Sequence, residues 1–103
     1  MKTFKEKVAV ITGAGSGMGR YLAVLLAKDG ADVCICDVNQ ETLDETAEML
    51  RKYNVSVSSH LLDVSDKESI ESLPQKVIDH HGQIDLVFNN AGVTTGSHFK
   101  DME

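Results

Sequence analysis

At 103 residues, 42% hydrophobic and 25% charged, with 8 Gly and 1 Pro, the chain has the length of one domain and the composition of an ordinary soluble globular protein. Two separate hydrophobic cores, disorder and collagen-like repeats are excluded. Ten Lys plus Arg against sixteen Asp plus Glu give a net charge of -6, so no electrostatic term draws the chain to nucleic acid or to an anionic membrane.

Val8 to Ile11 is a short apolar run, β-branched at three of four positions, and reads as a strand buried on both faces. It is too short for a signal-peptide core, and no run reaches membrane-spanning length. The glycine-dense stretch Gly13 to Gly19 follows. From Met18 to Lys28 the apolar residues Met18, Leu22, Leu25 and Leu26 recur at helical spacing, with Gly30 where a C-terminal glycine belongs. Val33 to Cys36 is a second buried strand ending at Asp37. Cys34 and Cys36 share one face of it and are expected as buried free thiols; with no disulfide framework in the chain, a reducing, cytoplasmic location is expected.

Asn39 caps a second helix running to about Tyr53, whose acids precede its bases in keeping with the helix dipole. A third strand lies within Val55 to Val64. Ser65 and Glu68 form a capping-box pattern opening a third helix, with Ile70, Leu73, Val77 and Ile78 on one face. Pro74 conflicts with that helix, so a kink or a restart capped by Ser72 is expected. Gly82 ends it. Ile84 to Phe88 is a fourth strand, running into Asn89-Asn90-Ala91-Gly92. His60, His80, His81 and His98 show no ligand spacing, so no metal site is expected, and Met18 and Met49 are expected to pack. Strands alternating with helices in a compact chain imply βαβ units and a parallel sheet, the α/β class.

Thr12-Gly13-Ala14-Gly15-Ser16-Gly17-Met18-Gly19 lies between the first strand and the first helix, where backbone amides can cradle a phosphate. Glycine there permits positive φ, lets a pyrophosphate approach the backbone, and lets helix and strand pack closely. No Lys-Ser or Lys-Thr pair follows Gly17 or Gly19, which excludes a nucleoside-triphosphatase loop. Asp37 stands 24 residues after Gly13 and 18 after Gly19, where an acid accepts from the adenosine ribose hydroxyls and repels a 2′-phosphate. Neither Ser16 nor Val38 offers that phosphate a cation. NAD is favoured over NADP.

The glycine turn, Asp63-Val64 after the third strand and Asn89-Asn90-Ala91-Gly92 after the fourth together resemble the classical short-chain dehydrogenases/reductases, from about Lys7 to Gly92. The resemblance implies a Rossmann-like doubly wound parallel sheet, of which residues 1–103 would be the dinucleotide-binding N-terminal part: about four strands in the order 3-2-1-4 of a fuller sheet. It implies cofactor-binding roles for Gly13, Ser16, Gly17, Met18 and Gly19 at the turn. Asp63 would accept from the adenine amino group, with Val64 against the ring. Asn90 would steady the central sheet, and Ala91 and Gly92 would line the cleft.

The same resemblance implies an NAD(H)-dependent oxidoreductase interconverting an alcohol and a carbonyl. The family's catalytic Ser and Tyr-x-x-x-Lys lie farther along than Glu103. Neither Tyr21 nor Tyr53 begins such a motif, since Leu25 and Val57 stand four residues on. The chain alone is therefore expected to lack catalytic residues and turnover. A stand-alone nucleotide-binding module, or one completed by another chain, is the alternative. Leu86, Val87 and Phe88 are expected to leave an apolar sheet edge that invites association, so a homo-oligomer stays open.

Overall fold

The structure, a computed structural model, describes residues 4–63 and 65–90. Strands and helices alternate: β1 Val8–Thr12, α1 Gly17–Lys28, β2 Asp32–Asp37, α2 Gln40–Leu50, β3 Val57–Leu61, α3 Lys67–His81 and β4 Leu86–Asn89. The strands pair in parallel in the order β3-β2-β1-β4, which is the expected Rossmann-like arrangement. In β1, Ile11 is in register with Ile35 on one side and Phe88 on the other. All five β1 residues are buried. With strands on both edges and helices on both faces, water reaches this strand from no side, hence its unbroken apolar run.

Period two divides the sheet into two faces. Ala9, Ile11, Val33 and Ile35 form one core with Ala23, Leu26 and Ala27 of α1 and Leu43 and Leu50 of α2. Val8, Val10, Cys34 and Cys36 form the other with Leu62 and with Val77 of α3. Each fully buried Ile, Leu or Val side chain contributes about 1.5–3 kcal/mol of transfer free energy, so these two layers hold the sheet and helices together. Cys34 and Cys36 are free and fully buried. The hydrogen bond with Cys34, and then burial, push the Cys36 thiol well up, so it stays protonated at neutral pH.

Four local expectations are corrected. First, α2 stops at Leu50 rather than near Tyr53, whose N–H donates to Leu50 O in a turn. Second, α3 is capped by Asp66, whose carboxylate accepts from Glu68 N–H, not by Ser65; the Ser65 amide and hydroxyl are instead committed to Asp63.

Third, α3 runs without interruption across Pro74, and the Ser72 hydroxyl donates to Ser69 O rather than capping a restart. Proline in a helix interior costs about 3 kcal/mol. The Asp66 cap, the left-handed Gly82 at the C-terminus and the apolar contacts of Leu73 and Val77 on the sheet hold the helix across it. Fourth, Met18 and Met49 do not pack: they are 60% and 43% exposed. The stripe that α1 turns inward is Gly19, Ala23, Leu26 and Ala27, small residues that bring the helix close to the sheet.

The edge strand β4 is half-buried throughout. On the α3 side Ile84 and Val87 line an apolar hollow of about 180 Å³ with Leu73, Pro74 and Val77. On the α1 side Phe88 lines another with Phe4, Leu22 and Leu25.

Candidate functional site

The C-terminal ends of the four parallel strands lie along one crest, because Thr12 is in register with Cys36 and with Asn89, and Asp37 with Leu61. The chain winds outward from β1 to β2 and β3, then returns to place β4 on the other side of β1. The crest above β1 and β4 is thus the point where the strand order reverses, the position at which open α/β sheets bind ligands.

The glycine turn sits there. Gly13 leaves β1 at φ +66°, in the left-handed region that favours glycine. A side chain on Gly19 would overlap the Gly13 carbonyl oxygen and come within 2.7 Å of its carbon; only glycine lets α1 start this close to the strand. Gly17, at φ +59°, has open space where a Cβ would stand. Ser16 occupies the N-cap position in extended conformation but makes no capping hydrogen bond from its side chain, and no acid stands in the first turn of α1. Ser16, Gly17 and Met18 are exposed. The first amides of a helix have no intrahelical acceptor and carry the positive end of its dipole. This terminus is therefore equipped to receive an anion.

Asp37 stands at the end of β2 with its carboxylate turned to the glycine turn. Its Oδ2 accepts from Gly15 N–H at 2.7 Å, and its Oδ1 accepts from Val38 N–H at 2.7 Å and Asn39 N–H at 3.3 Å. On the other side of β1, Asn90 N–H donates to Thr12 Oγ1 at 3.1 Å and its Nδ2 donates to Gly13 O at 3.4 Å, while the Thr12 hydroxyl donates to Asn89 Oδ1 at 3.0 Å. Asn90 thereby ties the end of β4 to β1 and to the start of the turn. Asp63 is exposed beyond β3, and its Oδ1 accepts from the hydroxyl and amide of Ser65, which hold its carboxyl below the usual carboxylate range. Val64, Ala91, Gly92 and His98 lie outside the described residues. Among the described residues no group of three or more His, Cys, Asp or Glu side chains is placed to hold a metal ion.

Three residues that pattern reading passes over complete the crest. Arg20 donates through Nε to Thr46 Oγ1 at 2.9 Å and through Nη2 to Thr42 O and Glu45 Oε1. The fully buried Thr46 hydroxyl donates to Ala14 O at 2.8 Å, and Ala14 N–H donates to Cys36 O at 2.9 Å. The turn is held from β2 and from α2 at once. The sequence signal was a Thr pair at i, i+4 on an otherwise acidic helix, and only tertiary contact gives it meaning.

A family model described as short chain dehydrogenase matches residues 7–103. The chain is 42% identical over 93 residues to the uncharacterized oxidoreductase YxbG of Bacillus subtilis (strain 168), covering 90% of this chain and 34% of that protein. It is 36% identical over 120 residues to retinol dehydrogenase 10-B of Danio rerio, covering 97% and 36%. Among solved structures, NAD+-bound xylitol dehydrogenase superposes with a TM-score of 0.85 at 35% identity, over 88% of this chain and 35% of that one. Carveol dehydrogenase from Mycobacterium avium in complex with NAD superposes at 0.83 with 31% identity, over 89% and 38%. The chain spans little more than a third of the length of these relatives. A family match from residue 7 to residue 103, joined to structural likeness of this degree, establishes that the chain belongs to the short chain dehydrogenase family of oxidoreductases.

Proposed function

We propose that the chain is the coenzyme-binding part of an NAD(H)-dependent oxidoreductase that interconverts an alcohol and a carbonyl. The observation that carries this reading is the uncapped N-terminus of α1, open at Gly17, with the Asp37 carboxylate held against the same turn. These residues fit a dinucleotide. The amides around Ser16, Gly17 and Met18 would hold the pyrophosphate, and the space a Cβ would otherwise fill lets phosphate oxygens approach the backbone. Asp37 would receive the adenosine ribose and disfavour a 2′-phosphate by charge, so NAD is preferred to NADP. Asp63 and Val64 would bound the adenine, and Asn90, Ala91 and Gly92 the other end of the cleft. The relatives with NAD bound support a nicotinamide coenzyme.

The coenzyme, when bound, accepts or donates the hydride. The work of this chain's residues is to bind and orient. Asn90 braces the turn from β4 and Thr46 braces it from α2, so the phosphate-facing amides are fixed before the ligand arrives. The described residues offer no Tyr-x-x-x-Lys on this crest to move the substrate's proton, and this reading assigns that chemistry to the family's downstream half. Residues 1–103 then act as one dinucleotide-binding unit, in the cytoplasm. No helix among the described residues is long and apolar enough to cross a membrane.

Isothermal titration of the purified chain with NAD and with NADP tests the reading. Saturable binding with tighter NAD is expected. Asp37→Ala should narrow the preference, and equal affinity for the two in the unmodified chain would sink the role of Asp37. The chain alone should show no turnover, with activity appearing when the downstream half of a full-length relative is supplied.

A further inference from the structure

Met18, Cys34, Cys36 and Met49 are the sulfur-bearing side chains among the described residues, and the fold exposes them unequally. Cys34 and Cys36 have no accessible surface, whereas Met18 is 60% exposed and Met49 is 43% exposed. Met18 is the second residue of α1, beside the open space at Gly17. The amides of Gly17, Met18 and Gly19 precede the first bond of that helix, which Arg20 N–H donates to Ser16 O at 3.4 Å. Side chains on a helix lean toward its N-terminus, so the Met18 thioether covers the mouth of this uncapped start. Met49 lies in the last turn of α2, at the end away from its Asn39 cap. An oxidant arriving from solvent therefore meets two thioethers, one bordering the crest and one remote from it.

We propose that Met18 is a site of reversible oxidation, and that its sulfoxide weakens coenzyme binding at the crest. This rests on the coenzyme reading above and adds a control on the same site. The thioether sulfur attacks one oxygen of hydrogen peroxide. The S–O bond forms as the O–O bond breaks, the sulfur is oxidised by two electrons, and the hydroxide released takes the proton left on the new S–O group and departs as water. A flexible apolar side chain thereby becomes a polar one with a strong acceptor oxygen. Ser16 supplies no side-chain cap and the first turn of α1 has no acid, so the sulfoxide oxygen is the acceptor this terminus lacks. Set at the positive end of the helix dipole, it competes with phosphate oxygens for the same amides and repels their charge.

The purified chain is treated with hydrogen peroxide, freed of it by gel filtration and titrated with NAD beside an untreated sample, in three forms: unmodified, Met18→Leu and Met49→Leu. Peptide mass spectrometry should place an added oxygen on Met18. Treatment should weaken NAD binding about fivefold in the unmodified chain and in Met49→Leu, and should cost Met18→Leu nothing relative to its own untreated sample. Methionine sulfoxide reductases, one for each epimer of the new chiral sulfur, should return the affinity of the unmodified chain. Should Met18→Leu fail to fold by circular dichroism, samples of the unmodified chain oxidised to different extents carry the test: affinity should fall with the sulfoxide fraction at Met18 and not with that at Met49. An untreated chain that binds neither NAD nor NADP would overturn the coenzyme reading and this proposal with it. An untreated chain that binds NAD, with its affinity unmoved once Met18 is oxidised or with the same loss in Met18→Leu, would overturn the role of Met18 alone. So would a Met18 that stays reduced while Met49 is oxidised.

Discussion

Two kinds of helix start coexist in this small fold. The helices α2 and α3 begin as free-standing helices do: Asn39 accepts from Thr42 N–H, Asp66 accepts from Glu68 N–H, and each has a glutamate in its first turn, Glu41 and Glu68. Helix α1 has none of these devices. Its N-cap residue Ser16 leaves the amides uncapped, its first turn is Gly-Met-Gly with no acid, and two of the glycines around it adopt positive φ. A helix terminus left without partners forgoes about 1 kcal/mol that a cap would supply. Among the described helices the fold satisfies the two starts where only stability is at stake and leaves uncapped the one that faces the crest where the strand order reverses.

The strongest way to break this contrast is to fill the open space. Gly17→Val should abolish dinucleotide binding, a loss of at least about a hundredfold, because two or more charge-assisted hydrogen bonds of ~1.5–3 kcal/mol each would be blocked. The far-ultraviolet dichroism should retain its helical signal. Titration calorimetry of Gly17→Val beside the unmodified chain decides it, and undiminished binding would mean the ligand lies elsewhere.

A gentler substitution makes α1 resemble its neighbours. Ser16→Asp supplies both the missing cap and the missing negative charge, so thermal denaturation should show the chain stabilised by ~0.5–1 kcal/mol. The same carboxylate would occupy and repel the phosphate position, and NAD affinity should fall about tenfold. Opposite signs for stability and binding from one residue are the signature of a terminus reserved for an anion. A Ser16→Asp variant that gains stability and keeps its affinity would remove the phosphate from this terminus.

Removing caps is the converse measurement. Asn39→Ala and Asp66→Ala should each lower the free energy of urea unfolding by ~1 kcal/mol, while Ser16→Ala should stay within about 0.3 kcal/mol of the parent. Equal losses at all three positions would erase the distinction between the two kinds of start.

The glycine turn was readable in the sequence because it is written in residues whose meaning is local: three glycines at fixed offsets after an apolar run, and Asp37 at the end of the next one; that Ser16 leaves the helix uncapped is seen only in the structure. The parallel sheet followed from alternation of buried strands and amphipathic helices. The capped start of α3 was not readable to the residue. Ser65 and Asp66 are adjacent candidates, and Asp63 engages the hydroxyl and amide of Ser65 before it can cap. The passage of α3 over Pro74 was hidden too, since packing of Leu73 and Val77 on the sheet outweighs a local propensity. So was the brace from Arg20 through Thr46 to Ala14, whose hydrogen bonds join residues 26 and 32 apart in sequence. Side chains that act on a turn from another element carry no local signature.

The smallest effect concerns the far end of α3 and sets it against the turn. His60 of β3 and His81 of α3 are both held below the usual histidine range, chiefly by burial, with Lys76 and His80 adding to the effect on His60 and His80 and His60 adding to that on His81; Asp32 partly opposes it at His81. His60 Nε2 and His81 Nδ1 are buried without a hydrogen-bond partner, while His81 Nε2 meets Ser58 Oγ at 2.8 Å. A proton taken up at either unpartnered nitrogen would place a charged donor where no acceptor waits. Because the folded state binds these protons less readily than the unfolded chain, their contribution to stability is complete above about pH 6.5 and declines as pH falls below it. The urea midpoint should therefore drop between pH 7.5 and pH 5.5, and the slope should be shallower in His81→Gln. Thr12 to Gly19 contains no side chain that titrates in this range, so the turn's amide resonances should hold still in the folded chain while those of α3 move. A midpoint flat across that window would mean that both imidazoles accept protons in place. Resonances of the turn moving in step with those of α3 would mean that the two ends of the molecule are not independent, and the contrast between its helix starts would need a coupling the hydrogen-bond network does not supply.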